Sequence, residues 1–389
     1  MMAHESRHLA TIRSHPRALA AYRRVRAVLD GRAPDRVPFF DNYWPQFRTR
    51  YLAERGLPPD TDLRERFDHD FVLMAPVMGP WPSRAAVLGH DSRGHVLRRD
   101  DFGLVTADLS GAMTMSVHLE CAIKERRDLD RLPFEDPAAE DRTALIAREL
   151  PKTCTRFCPV FKLGGPFSRT WRLRGLQQFL EDLAGDESFA REMVERITDH
   201  LIAVGRAALE RTDFPRVQLH VADDFAARQA PLLSPATYER VLLPNLKRLV
   251  AEFHALGFKV SYESEGNTWP MLDLLDEAGV DGLAYMEPRA GMRIERVRER
   301  FGDRFFFLGN VCNVQVLPSG DRGRIARDVH RVLSSAVAGG YMGLSAHSIG
   351  TDVSPDAYEY FWGLMDRFAR YPLDLDALAA AGADPRAGC

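Results

Sequence analysis

The chain of 389 residues is 45% hydrophobic and 28% charged with a formal net charge of −3, so it can bury a large core and has no basic excess to attract phosphate backbones, which excludes nucleic acid as a partner. Its opening, MMAHESRHLATIRSHPR, holds no apolar signal segment, and no run approaches the ~18 apolar residues that span a bilayer, so a cytoplasmic protein with no membrane contact is expected. The cysteines, Cys121, Cys154, Cys158, Cys312 and Cys389, are odd in number and follow no secretion signal, which points to reduced thiols.

Residues 1–36 are Arg-rich and helix-like, ending at Gly31-Arg-Ala-Pro34, and predict an N-terminal helical extension. Strand-like apolar runs then recur at Val37–Asn42, Phe71–Pro76, Phe161–Gly165, Val217–Asp223, Phe258–Glu265, Gly282–Glu287, Phe305–Val311 and Gly340–His347. Eight such runs alternating with amphipathic stretches are what a closed parallel α/β barrel needs, and one barrel with an extension uses this length as a single domain. The stretch SRGHVLRRDDFGLVTAD (92–108) alternates around polar turn residues and predicts a β-hairpin inserted between barrel strands. Helices are expected over Ala236–Leu256, Met271–Ala278, Met292–Arg300 and Arg322–Ala338. The expected organisation is a helical extension (1–36), a single (β/α)8 TIM barrel (37–372) and a flexible tail (373–389) that frays from Leu375.

Chemistry-bearing side chains stand where these runs end: His220, Glu263 and Glu265, Glu287, Cys312 and His347. In a parallel barrel the carboxyl ends of the strands share one cup, so groups far apart in sequence can meet there. Period-two geometry puts Glu263 and Glu265 on one face of their strand, with His347 able to reach them across the mouth. Two carboxylates and an imidazole make a hard donor set suited to Fe, Mn, Mg or carboxylate-bound Zn, with Cys312 or His220 as a fourth ligand or else as buried core residues. Asp223 and Asp224 close the fourth run, where a carboxylate serves as a general base or, alternatively, complements a helix N-terminus; His220 is grouped with them as catalytic. Arg169 and Arg172 follow the third run and can grip a substrate carboxylate or remain solvated helix charges. Tyr43, Trp44 and Trp269 fall in loops where they can wall a pocket or simply pack, and Glu287 and Asn310 complete the candidate substrate contacts. No Walker, Rossmann or nucleophile-elbow pattern occurs in its needed context.

Five stretches together resemble the uroporphyrinogen decarboxylase superfamily, which also contains metal- and corrinoid-linked methyltransferases: DGRAPDRVPFF (30–40), GGPFSRTWRLRGLQQFLEDL (164–183), DDFAARQAPLLSPATYERVLLPNLKRL (223–249), ESEGNTWPMLDLLDEAGVDGL (263–283) with EPRAGM (287–292), and GGYMGLSAHSI (339–349). The resemblance implies a single α/β barrel over nearly the whole chain. True porphyrinogen decarboxylases carry an Arg-containing segment of the kind MRQAGRY after the first strand, where this chain reads DNYWPQFRTRY (41–51). The closer likeness is to the methyltransferase-like branch, whose His-x-Cys-Gly is Glu263-Ser264-Glu265-Gly266 here and whose final ligand position is His347. That likeness implies a divalent metal (Zn, Fe or Mn), a small-molecule substrate and a corrinoid carried by a partner protein, since this chain has no His-bearing cobalamin loop. The expected activity is metal-dependent methyl transfer or demethylation. Decarboxylation or carbon–carbon lysis of a small carboxylic acid other than uroporphyrinogen is the alternative. The reading leaves room for a homodimer.

Overall fold

The computed structural model describes residues 6–109 and 116–383. Seven parallel strands, β1 (Phe71–Met74), β6 (Cys158–Gly164), β7 (Gln218–Ala222), β8 (Lys259–Glu263), β9 (Gly282–Ala284), β10 (Phe306–Leu308) and β11 (Tyr341–Met342), pair in that order. A separate antiparallel sheet, β2 (Ala86–His90), β3 (Val96–Arg99), β4 (Val105–Asp108) and β5 (Ser116–Glu120), is inserted between β1 and β6. The expected hairpin is its β3–β4 pair, and β2 and β5 extend it on both sides.

The eighth expected strand, Val37–Asn42, is not a ladder but a seam. Phe40 N–H donates to Gly343 O, Gly343 N–H to Pro38 O, and Asp70 N–H to Phe39 O, so the segment bridges β11 and β1 and closes the ring. Pro38 has no N–H to give, which limits the pairing. In place of a further ladder bond, Phe39 N–H donates to the Asp70 carboxylate, itself clamped by Arg24 and Arg36. The architecture is therefore the expected α/β barrel.

Alternation along each strand sorts the side chains. Leu219, Val221, Val260 and Tyr262 face the surrounding helices, whereas Cys158, Val160, Phe306 and Met342 fill the barrel interior together with Val25, Val28 and Leu29. Those last three come from the N-terminal helix Pro16–Leu29, which plugs the floor of the barrel. The later strands are shorter than expected: Tyr285, Gly309 and Asn310 take positive φ (53°, 94° and 80°), which ends β9 and β10 and turns the following residues into rim loops.

The expected helix 236–256 is Pro235–Thr237, a π-turn Tyr238–Leu242 and Leu243–Ala255 in sequence. The wide turn ends two residues before Pro244, which cannot donate to the carbonyl four residues back. The expected fraying from Leu375 is corrected. Leu375–Ala383 is a helix, with Leu378 fully buried in the core. Cys389 and the rest of the expected tail beyond Ala383 lie outside the described residues. No helix among the described residues is long and apolar enough to cross a membrane.

Candidate active site

Residues in phase on neighbouring strands, Lys162 on β6, Gln218 and His220 on β7, and Ser261 and Glu263 on β8, build a polar layer inside the barrel, just beneath its carboxyl rim. Gln218 Nε2 donates to Ser261 Oγ at 2.8 Å, Ser261 Oγ meets His220 Nδ1 at 3.0 Å, and His220 Nε2 meets Glu263 Oε2 at 2.6 Å. Lys162 Nζ lies 3.5 Å from the same carboxylate oxygen. A Ser261 hydroxyl donating to Nδ1 leaves the Nε2 proton to face Glu263, so the network fixes the imidazole tautomer. Burial drives the His220 pKa down, keeping the ring neutral. Burial also opposes ionisation of Glu263, but the His220 hydrogen bond and the Lys162 charge outweigh it and hold the carboxyl at about 2.

One layer higher, beyond the end of β8, Glu265 Oε1 and His347 Nε2 are 2.7 Å apart. The Tyr285 ring stands between the two pairs, edge-on to His220 (centroids 5.8 Å) and to His347 (5.7 Å), and its hydroxyl accepts from Asn42 Nδ2 at 3.1 Å. Burial disfavours the His347 imidazolium, yet the Glu265 hydrogen bond and the nearby Glu263 and Asp224 carboxylates raise its pKa above the ordinary value. Asp224 opens into the cup within reach of water but closed in by protein; that enclosure, with Glu263 and Glu265 beside it, lifts its pKa to about 6. A cavity of about 220 Å³ adjoins this layer, lined by Trp44, Glu265, Tyr285, Glu287, Asn313 and His347 among others.

The expected ligand set Glu263, Glu265, His347 and Cys312 does not gather as such. Each imidazole is closed on one carboxylate, Cys312 sits in the loop after β10 with its N–H on Asp328, and no three His, Cys, Asp or Glu side chains among the described residues are grouped to hold a metal ion. Transition-metal ligands at ~2.0–2.2 Å from one ion converge on a common point, whereas these groups point at one another. The donor set in this arrangement does not fit the metal that the resemblance implied.

Other expectations resolve by strand phase and packing. Asp223 faces away from the cup, accepting from the N–H groups of Phe167 and Ser168 at the start of helix Pro166–Arg174 and from the Tyr262 hydroxyl at 2.7 Å, so it caps a helix rather than meeting substrate. Tyr43 belongs to a buried aromatic cluster: its hydroxyl bonds Tyr358 Oη (2.7 Å) and His69 Nε2 (2.9 Å). Trp269 is half-buried against the core, with the Arg296 guanidinium 4.5 Å from its ring centroid. Asn310 braces the backbone, donating to Met286 O and Met292 O and accepting from Arg331. Arg172 pairs with Asp100 of the inserted sheet, and Glu287 with Arg289 at 2.7 Å. Arg169, Trp44, Glu287, Asp224, Glu265 and His347 remain at the cup.

Sequence reasoning missed Lys162, Gln218, Ser261, Tyr285 and Asp41. The first three are polar residues in otherwise apolar strand runs, a signal that strand phase would have revealed. Asp41 is buried on the seam segment, where Ser345 Oγ donates to it at 2.7 Å and Tyr358 Oη at 3.2 Å; burial lifts its pKa to about 7.

Among solved structures, a methyltransferase from Methanosarcina mazei is similar at 16% identity and a TM-score of 0.63, over 90% of this chain and 98% of that one. At that identity the likeness speaks to the fold alone. A xylose isomerase-like TIM barrel/4-hydroxyphenylpyruvate dioxygenase fusion protein matches at 15% identity over 63% of this chain and 38% of that one, with a TM-score of 0.31, too low to carry an argument. No curated protein matches the chain. The family model for uroporphyrinogen decarboxylase (URO-D) matches residues 116–368, well over half of the sequence. The chain therefore belongs to the uroporphyrinogen decarboxylase (URO-D) family.

Proposed function

We propose that the chain is a group-transfer enzyme of methyltransferase type that removes a methyl group from a heteroatom of a small molecule bound in the cup. The observation that supports this most is the pairing at the rim: His347, whose pKa the Glu265 hydrogen bond raises, stands beside Asp224, whose pKa of about 6 poises it as a general acid. His347 Nδ1 has no partner among the described residues and is free to donate. As the methyl–heteroatom bond breaks, the methyl group passes to an acceptor and the heteroatom keeps the bonding electrons and takes the proton from His347. By resemblance the acceptor is a corrinoid carried by a partner protein. Glu265 then shares the neutral imidazole, and solvent restores its proton. The His220–Glu263–Lys162 layer beneath holds the floor of the site in one arrangement. Because the donors form closed pairs, no step is assigned to a metal.

The test is incubation of the purified chain with O-, N- and S-methylated small molecules and reduced cobalamin, following methylcobalamin by absorbance. Methyl transfer that is lost in His347→Ala supports the reading. A second reading, decarboxylation of a small carboxylic acid, draws on Asp224 as proton source for the carbanion left after carbon dioxide departs. Carbon dioxide release without any methyl acceptor would select it over methyl transfer.

A further inference from the structure

One partly buried cation in the cup, Arg169, has no bonded counter-ion among the described residues. Gly164 is in phase with Lys162, so its missing side chain faces into the barrel, and the Arg169 side chain lies across the vacant face. A Cβ on Gly164 would fall 1.7 Å from Arg169 Nε. Arg169 makes no side-chain hydrogen bond or ion pair with any described residue, and its buried Nε is without a partner.

The other enclosed arginines each bond a carboxylate or backbone carbonyls through their guanidinium, including Arg172 and Arg298, whose Nε is likewise buried without a partner among the described residues. Arg36 bonds Asp68 and Asp70, Arg174 bonds Asp182, and Arg142 bonds the carbonyls of Asp136, Val77 and Gly79. The carboxylates near Arg169 act only through space and are engaged elsewhere: Asp223 by the Phe167 and Ser168 N–H groups, Asp101 by Gly79 N–H at 2.8 Å, and Asp224 by Glu265 N–H at 3.2 Å. An enclosed charge without a partner is unfavourable, and is retained where a ligand supplies the missing charge. Phe102, from the turn between β3 and β4, roofs the spot, its centroid 5.7 Å from the Arg169 guanidinium and 5.4 Å from that of Arg172.

We propose that Arg169 is a substrate-binding residue that seats a planar monoanionic group, a carboxylate, so that the small molecule processed at the rim is a carboxylic acid. A guanidinium matches the two oxygens of a carboxylate by parallel hydrogen bonds. The ring of Phe102 above favours a flat group, and Asp224 and Asp101 nearby oppose a dianion such as phosphate. The inserted sheet thereby becomes part of the binding site. Only the placement of the reacting end rests on the proposed function, since carboxylate binding itself needs no turnover.

The experiment is isothermal titration and thermal melting of the full chain with acetate, benzoate and phenylacetate, and with the neutral isostere benzamide. The wild type is expected to bind at least one carboxylate and to melt higher in its presence, while benzamide does neither. Arg169→Gln should weaken that carboxylate roughly 30-fold or more while melting no lower than the wild type without ligand, because an unpaired enclosed charge has been removed. Gly164→Ala, which retains the arginine but fills the face it lies across, should weaken the same ligand and serves if Arg169→Gln does not fold. The proposal is overturned by any of three results: no carboxylate binds the wild type, benzamide binds as well as benzoate, or the variants that fold bind within threefold of the wild type. Carboxylate binding without methyl transfer would sink the functional reading alone. Methyl transfer from neutral substrates at an unchanged rate in Arg169→Gln would sink the subsite alone.

Discussion

Asp41 gives a stability prediction whose size and sign follow from its surroundings. It is 2% exposed, and with no cation bonded to it among the described residues, burial lifts its pKa from 3.8 to about 7. Between those values the folded chain holds a proton that the unfolded chain has released, so folding free energy falls as pH rises through the window and levels off above about 7. At 1.36 kcal/mol per pH unit the loss totals about 4 kcal/mol, more than half of it between pH 5 and pH 7. Asp41→Asn keeps an oxygen for the Ser345 hydroxyl and removes the titration. The variant should therefore gain on the wild type steadily from pH 5 to pH 7 and by a constant amount at pH 8, measured as the difference in urea unfolding free energy at each pH. A difference that is flat across this range, or that shrinks as pH rises, would refute the assignment of a neutral buried acid at this position.

Three further outcomes are expected. Leu378→Ala should destabilise the chain by about 2–5 kcal/mol in denaturant unfolding, because that side chain docks the last helix onto the core; an unchanged midpoint would restore the frayed tail. Exhaustive treatment with a chelator should leave the unfolding midpoint unchanged, since Glu263 and Glu265 are already paired with His220 and His347, and a marked drop would reveal an ion tying the strands together. Uroporphyrinogen should not be turned over in a spectroscopic assay, because Arg48 and Arg50, the arginines of the segment that follows Val37–Asn42, reach Thr61 O and Glu54 rather than the cup; measurable turnover would reverse that conclusion.

How much of this was legible in the sequence depends on the range of the interaction involved. The barrel was legible because each strand run is local and its apolar spacing repeats. Glu263 was placed inside by alternation, and the same phase, counted from His220, sends Asp223 outward and Asp224 inward, a distinction available from the sequence but left open. Glu265 and His347 fall beyond the ends of their strands, where alternation gives no direction; their meeting depends on loop paths over 82 residues of separation. For Tyr43 the choice between pocket wall and packing stayed open because its partners, His69 and Tyr358, are 26 and 315 residues away. Asn310 was a candidate substrate contact, but its φ of 80° and its bonds to Met286 O, Met292 O and Arg331 make it a bracket. The donors near the rim match the metal pattern in kind, but pairing with His220 and His347 redirects them, and pairing is a property of three-dimensional neighbours.

The seam at Val37–Asn42 has a consequence for the order in which the molecule is made. Every other junction in the ring joins strands adjacent along the barrel path, but the seam needs Gly343 and Ile349, and Val37 N–H reaches Ala369 O. On a ribosome the residues that start the ring must wait, exposed, until more than three hundred others have been added. Closing so long a loop is slow in folding but entropically only a little dearer than closing a shorter one. A nascent chain halted before Gly343 would carry an open sheet with Phe39 and Phe40 unsheltered, a natural target for chaperones. The ring thus closes only once Gly343, Ile349 and Ala369 have emerged.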